Sequence, residues 1–175
     1  MARVPLIEPE SRPELAELGA KIRAARRGTV LKIYKALAHS PALAESWFNH
    51  NNAVRWKTEL GGRLRELVIM RVATLLEAAY VMRQHVAELA APEGVSTDEI
   101  EALKDWRASA FFDPAERSAL AYADAMTREA AVPDAVFAEV RRHFSERQTV
   151  ELTVLIGTYN LQARVINALG VEPEA

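Results

Sequence analysis

Apolar residues recur along most of the chain at the three- and four-residue intervals of a helix, and no stretch shows convincing strand alternation. Between residues 13 and 27, Leu15, Leu18 and Ile22 share one face and charges occupy the other, which predicts an amphipathic helix. A short apolar segment follows at 30–38. Ser40-Pro41 then supplies an N-cap and a proline at the first helical position, opening a helix toward Trp56. Ser96 with Glu99, Asp113 with Glu116 and Ser145 with Gln148 have capping-box spacing. Pro133-Asp134 opens a further short helix carrying Val136, Phe137 and Val140. The fold class is therefore all-α, a bundle of about eight helices. Residues 1–12 read as an extended, proline-rich arm and 13–175 as a single domain.

Two segments are apolar nearly all round. One is 64–76, interrupted by Arg65, Glu66, Arg71 and Thr74; the other is 150–169, interrupted by Glu151, Tyr159, Asn160, Gln162, Arg164 and Asn167. Such helices belong in the middle of a bundle or at a subunit contact. For Tyr159, Asn160 and Arg164 a subunit interface is the preferred reading and a second pocket wall the alternative.

Composition narrows the function classes. Lys plus Arg is 22 and Asp plus Glu is 24, so no electrostatic reason exists to expect nucleic acid or an acidic membrane as partner. The one basic cluster, Lys21, Arg23, Arg26 and Arg27, ends at Gly28 and reads as cations at a helix C-terminus. No cysteine is present, which excludes disulfides, thiolate metal sites, cysteine nucleophiles and CxxC redox chemistry in this chain. His39, His50 and His143 lack metal-ligand spacing, so no metal and no cofactor are expected. The N-terminus lacks the apolar run of a secretory signal, and the apolar stretches are too interrupted to span a bilayer. A cytoplasmic protein is the default expectation.

The most informative stretch is Arg65-Glu66-Leu67-Val68-Ile69-Met70-Arg71-Val72-Ala73, continuing as Glu77-Ala78-Ala79-Tyr80-Val81-Met82-Arg83-Gln84-His85. With Gly94-Val95-Ser96-Thr97-Asp98-Glu99-Ile100 behind it, this ordered set resembles the core of the carboxymuconolactone decarboxylase and AhpD-like family, well over roughly 60–103 and more loosely over most of the chain. In the AhpD branch the motif is a Glu, a CxxC pair with a His inside it, and a second His. Glu66 matches the Glu and His85 the last His, at the same separation of nineteen positions. The cysteine positions fall on Ala78 and Val81, and the inner His falls on Tyr80. The thiol pair is missing, so the thiol-dependent peroxidase activity of that branch is not expected here.

The resemblance implies Glu66, Tyr80 and His85 as the catalytic set. In one straight helix Glu66 and His85 would stand on the order of 28 Å apart. Propensity alone favours that long helix, because Leu76-Glu77-Ala78-Ala79 contains neither Gly nor Pro. The resemblance implies instead a fold-back near 76–79 that returns His85 to the level of Glu66. Glu66 would then hold the imidazole in one tautomer, His85 would act as general acid or base, and Tyr80 would donate a hydrogen bond to a developing enolate or carboxylate oxygen. Without the resemblance, His85 reads as a satisfied core or surface histidine, Tyr80 as a packing aromatic with its hydroxyl at the rim, and Glu66 as an acid in a first helical turn.

Arg71, inside an apolar run, needs either an acidic partner or a substrate carboxylate, and the ion pair is the better reading. Trp47, Phe48 and Trp56 read as packing aromatics that could line a pocket mouth. Arg71 and Trp47 are the candidate substrate-binding residues. Two functions from different classes follow: a cofactor-independent acid/base lyase or isomerase on a small carboxylated lactone or keto acid, or a non-catalytic oligomeric binding or scaffold protein of the same fold. The apolar central helices and the resemblance together suggest a homotrimer, or a hexamer of trimers.

Overall fold

The computed structural model describes residues 2–26 and 28–174, with Ala87 by its backbone alone. Arg27, the last of the basic cluster, lies outside the described residues, as do Met1 and Ala175. Among the described residues there are nine α-helices and no strand. The chain divides into two compact units, Met1–Lys57 with Val165–Ala175, and Thr58–Arg164.

In the first unit, 3-10 turns at Pro9–Ser11 and Pro13–Leu15 lead into α1 (Ala16–Ala25), α2 (Lys32–Leu37) and α3 (Pro41–Trp56). The segment predicted to be an extended arm thus carries a 3-10 turn, and Pro9 is buried. Backbone bonds tie that segment down: the Arg3 N–H donates to the Leu169 carbonyl at 2.8 Å and the Ile7 N–H to that of Lys35 at 3.1 Å. Leu18 and Ile22 of α1 are buried, with Leu15 one turn ahead, as the helical spacing predicts. Gly28, at φ +85°, lets its N–H reach back to the Arg23 carbonyl at 2.9 Å, and this closes the helix behind its cations. Those cations have partners: Lys21 pairs with Glu17, Arg23 with Glu10, and Arg26 bonds Asn52.

Helix α2 is the ninth helix, where the sequence pattern showed only an apolar segment. Ser40 occupies the N-cap position of α3 with extended backbone, but its side chain makes no capping bond. The helix start rests on Pro41, whose fixed φ suits the first turn and whose missing N–H needs no partner.

The second unit is built on α4 (Gly62–Leu75), followed by α5 (Ala79–Glu88), α6 (Thr97–Ala102), α7 (Pro114–Arg128), α8 (Asp134–His143) and α9 (Glu146–Leu169). Short 3-10 turns lie at Ala91–Glu93 and Leu103–Asp105, and the residues of α9 from Val165 onward belong to the first unit. Helix α4 is apolar on nearly every side because it is surrounded: Leu67, Val68, Ile69, Met70 and Val72 have no exposed surface. It packs against α5 and α7 over a core of Leu67, Met70, Ala90, Val95, Leu103, Trp106, Phe112 and Leu120.

All three capping boxes form. In Ser96/Glu99 and Asp113/Glu116 both reciprocal bonds are made, and Ser145 and Gln148 exchange bonds of 3.1 Å. Arg63 joins two of these boxes. Its Nη2 donates to Glu99 at 2.5 Å, its Nε to Glu116 at 2.7 Å and its Nη1 to the Gly94 carbonyl at 2.7 Å. The Arg63 hydrogen bond holds the Glu99 carboxyl down to about 2, against the upward push of burial.

Candidate functional site

The turn between α4 and α5 builds the site. The Ala78 N–H donates to the Ala73 carbonyl at 2.8 Å and the Glu77 N–H to that of Thr74 at 3.4 Å, the pair of bonds of a Schellman C-cap. Ala73 and Ala78, the two positions whose apolar contact accompanies that motif, are both buried. The turn requires a left-handed residue just past the cap, and here it is Glu77, at φ +50°. A glycine would fill that position without a Cβ penalty; Glu77 fills it with strain of about 1–2 kcal/mol. The chain therefore folds back where helix propensity alone predicts continuation, and the reversal implied by the resemblance is the one observed.

The reversal brings Glu66 and His85 together. His85 Nδ1 and Glu66 Oε2 lie 2.5 Å apart, with Glu66 wholly buried and His85 5% exposed. With Glu66 ionised the carboxylate only accepts, which puts the proton on Nδ1 and leaves Nε2 as the basic nitrogen. On the far side of the carboxylate, Arg65 Nε stands 3.8 Å from Glu66 Oε1, while Arg65 Nη2 donates to Glu93 at 2.9 Å. Gly62 opens α4 next to that acid, since a Cβ there would overlap the Glu93 carboxylate. The site is therefore a line of polar groups, Arg65 to Glu66 to His85, in a largely apolar interior.

Tyr159 of α9 packs on the imidazole. Its ring meets that of His85 edge to face, with centroids 5.4 Å apart and planes at 80°, and it is as deeply buried as the imidazole. The sequence reading placed Tyr159 at a subunit interface or in a second pocket wall; in the structure its ring packs on the imidazole of His85. A signal was present, because Tyr159 continues the stripe of Leu152, Ile156 and Ala163, all fully buried. Asn160 faces Thr127 instead, at 3.0 Å. Arg65 was read as an interruption of an apolar run and as part of the motif stretch, but not as a neighbour of the Glu66 carboxylate.

The other sequence candidates are placed differently. Tyr80 is buried on α5, five residues before His85 and so about 140° around the helix axis from it. Ala78 and Val81, at the thiol positions of the AhpD branch, are buried and apolar. Trp47 is half-buried on α3 in the first unit. Arg71 forms the ion pair: its Nε and Nη2 donate to the two Asp124 carboxylate oxygens at 2.6 and 3.0 Å, and Nη1 donates to the Leu103 carbonyl at 2.6 Å. Trp106 and Arg107 bond the same carboxylate. Burial pushes the Asp124 carboxyl up, but the bonds from Arg71 and Arg107 outweigh it and hold it below its ordinary value. This is the ion pair that the sequence reading preferred for Arg71.

Among the described residues no cluster could hold a metal ion, and no helix is long and apolar enough to cross a membrane. The sequence model of the carboxymuconolactone decarboxylase family matches residues 41–125. The chain is 34% identical over 118 residues to the uncharacterised protein YnjA of Escherichia coli K12; the match covers 67% of this chain and 64% of YnjA, just under two thirds of that relative's length. It is 31% identical over 108 residues to the uncharacterised protein YdfG of Bacillus subtilis 168, covering 61% of this chain and 73% of YdfG. A crystal structure titled alkylhydroperoxidase AhpD core, of an uncharacterised peroxidase-related protein from Ralstonia eutropha JMP134, superposes with a TM-score of 0.85 over 99% of this chain and 92% of that one. At 21% identity that likeness shows the fold alone. The chain belongs to the carboxymuconolactone decarboxylase family and has the AhpD-like fold, with no cysteine of its own.

Proposed function

We propose that the protein is a cofactor-independent acid/base enzyme, a lyase or isomerase that moves a proton at a carbon next to the carbonyl of a small carboxylated lactone or keto acid. The observation that carries this reading is the buried Glu66–His85 contact of 2.5 Å. With Nδ1 held by Glu66, Nε2 removes the proton and the carbon's electron pair passes into an enolate. In an isomerisation Nε2 returns the proton to another carbon. In a decarboxylation the bond to the carboxylate breaks, CO2 leaves with its two oxygens, and imidazolium protonates the carbon, one proton being drawn from water. A homotrimer or a hexamer of trimers, in a cytoplasmic setting with a small-molecule substrate, completes the proposal.

The absence of cysteine leaves this chain no thiol with which to reduce a hydroperoxide. The test is a turnover screen of wild type beside His85→Ala, using carboxylated lactones, β-keto acids and organic hydroperoxides without added thiol. Turnover of a lactone or keto acid that is lost in the variant supports the reading. Normal turnover in His85→Ala removes His85 from the mechanism and sinks the reading; none across the panel in wild type sinks it in favour of a binding or scaffold role.

A further inference from the structure

We infer that Tyr159 is a positioning residue for His85, and that its ring, rather than its hydroxyl, keeps Nδ1 turned toward Glu66. The torsion that orients an imidazole is broad and roughly two-fold, so the Glu66 bond by itself fixes one edge of the ring only while that bond lasts. During proton transfer the imidazole must keep its orientation as its charge changes. Tyr159 supplies a second constraint from a different element. Its ring stands at 80° to the imidazole with centroids 5.4 Å apart, so a rotation of His85 about its Cβ–Cγ bond must displace it. Tyr159 cannot readily give way. It is 3% exposed, on a stripe of α9 where Leu152, Leu155, Ile156 and Ala163 have no exposed surface. The Glu66 carboxylate comes from α4, the imidazole from α5 and the restraining ring from α9, so three packed helices fix one torsion.

The effect of Tyr159 on turnover rests on the acid–base reading proposed above, whereas its effect on the ring is readable without substrate. Nitrogen-15 NMR of the imidazole, at a pH where the ring is neutral, distinguishes the two tautomers, and His85→Ala identifies the His85 signals among the four histidines. Wild type is expected to give the Nδ1–H tautomer alone. Tyr159→Leu, which keeps apolar volume so that the core folds, is expected to give a mixture of both tautomers. It should also lower kcat by up to about 100-fold with little change in KM. Tyr159→Phe, which keeps the ring, is expected to restore both readouts. A single Nδ1–H tautomer in folded Tyr159→Leu overturns the assignment, as does a Tyr159→Phe protein that behaves like Tyr159→Leu. If the tautomers mix in Tyr159→Leu while wild type turns over nothing, positioning stands and the enzymatic reading falls.

Discussion

Glu66 and His85 are nineteen positions apart and meet at 2.5 Å, and the residue that allows the meeting is neither of them. Glu77, exposed and left-handed at φ +50°, reverses the chain between α4 and α5 so that the imidazole returns to the level of the carboxylate. A side chain with a Cβ therefore stands where glycine would be unstrained, and the site's geometry depends on that strained turn.

Glu77→Gly is expected to stabilise the protein by about 0.5–1 kcal/mol, the relief of left-handed strain less the extra chain entropy of glycine. At this chain length, thermal denaturation should show a midpoint raised by about 2–4 °C per kcal/mol. Glu77→Ala keeps the Cβ and should gain nothing. Equal midpoints for the Gly and Ala variants would remove the strain account of this turn.

Asp124→Ala is expected to cost about 3–5 kcal/mol, because Arg71 would be left charged and buried without its carboxylate. Replacing both partners, Arg71→Met with Asp124→Leu, should cost clearly less, since no buried charge then remains. Urea denaturation of the single and double variants checks the order. A double variant less stable than Asp124→Ala would show that the pair contributes more than mutual neutralisation.

Glu99 gives the fold an acid-sensitive element. Its carboxyl is held at about 2 when folded, below its ordinary value of 4.5, by the Arg63 hydrogen bond. A folded value below the unfolded one means that the stabilisation is complete above the unfolded value and is lost as pH falls from about 4.5 toward 2. Arg63→Met should be less stable at neutral pH and should lose less on acidification across that window. Parallel stability–pH curves for the two proteins would contradict this role for Arg63.

Much of this architecture was legible in the sequence, because the signals were local. Capping boxes at Ser96, Asp113 and Ser145, the Gly28 stop and the apolar run of α4 each act within one or two turns, and each was found as predicted. Ser40 misled because residue type marks an N-cap position without guaranteeing the bond, and Pro41 suffices there. The α4–α5 reversal was illegible from propensity: Glu77 is a good helix former, and the Schellman bonds that override it depend on burial of Ala73 and Ala78. The partners of Arg63, Arg71 and His85 lie too far along the chain for periodicity to pair them. Arg71 could be known to need a partner, but Asp124 could be assigned to it only once α4 and α7 were seen side by side.

The most direct test of the central claim is deuterium exchange at the carbon beside the carbonyl of β-keto acids and carboxylated lactones in D2O, followed by proton NMR. If the Glu66–His85 pair moves a proton at carbon, wild type exchanges that position, His85→Ala loses the exchange, and Glu66→Gln slows it by about 100-fold or more. Exchange at the same rate in His85→Ala, or none above the uncatalysed rate in wild type, would contradict the account.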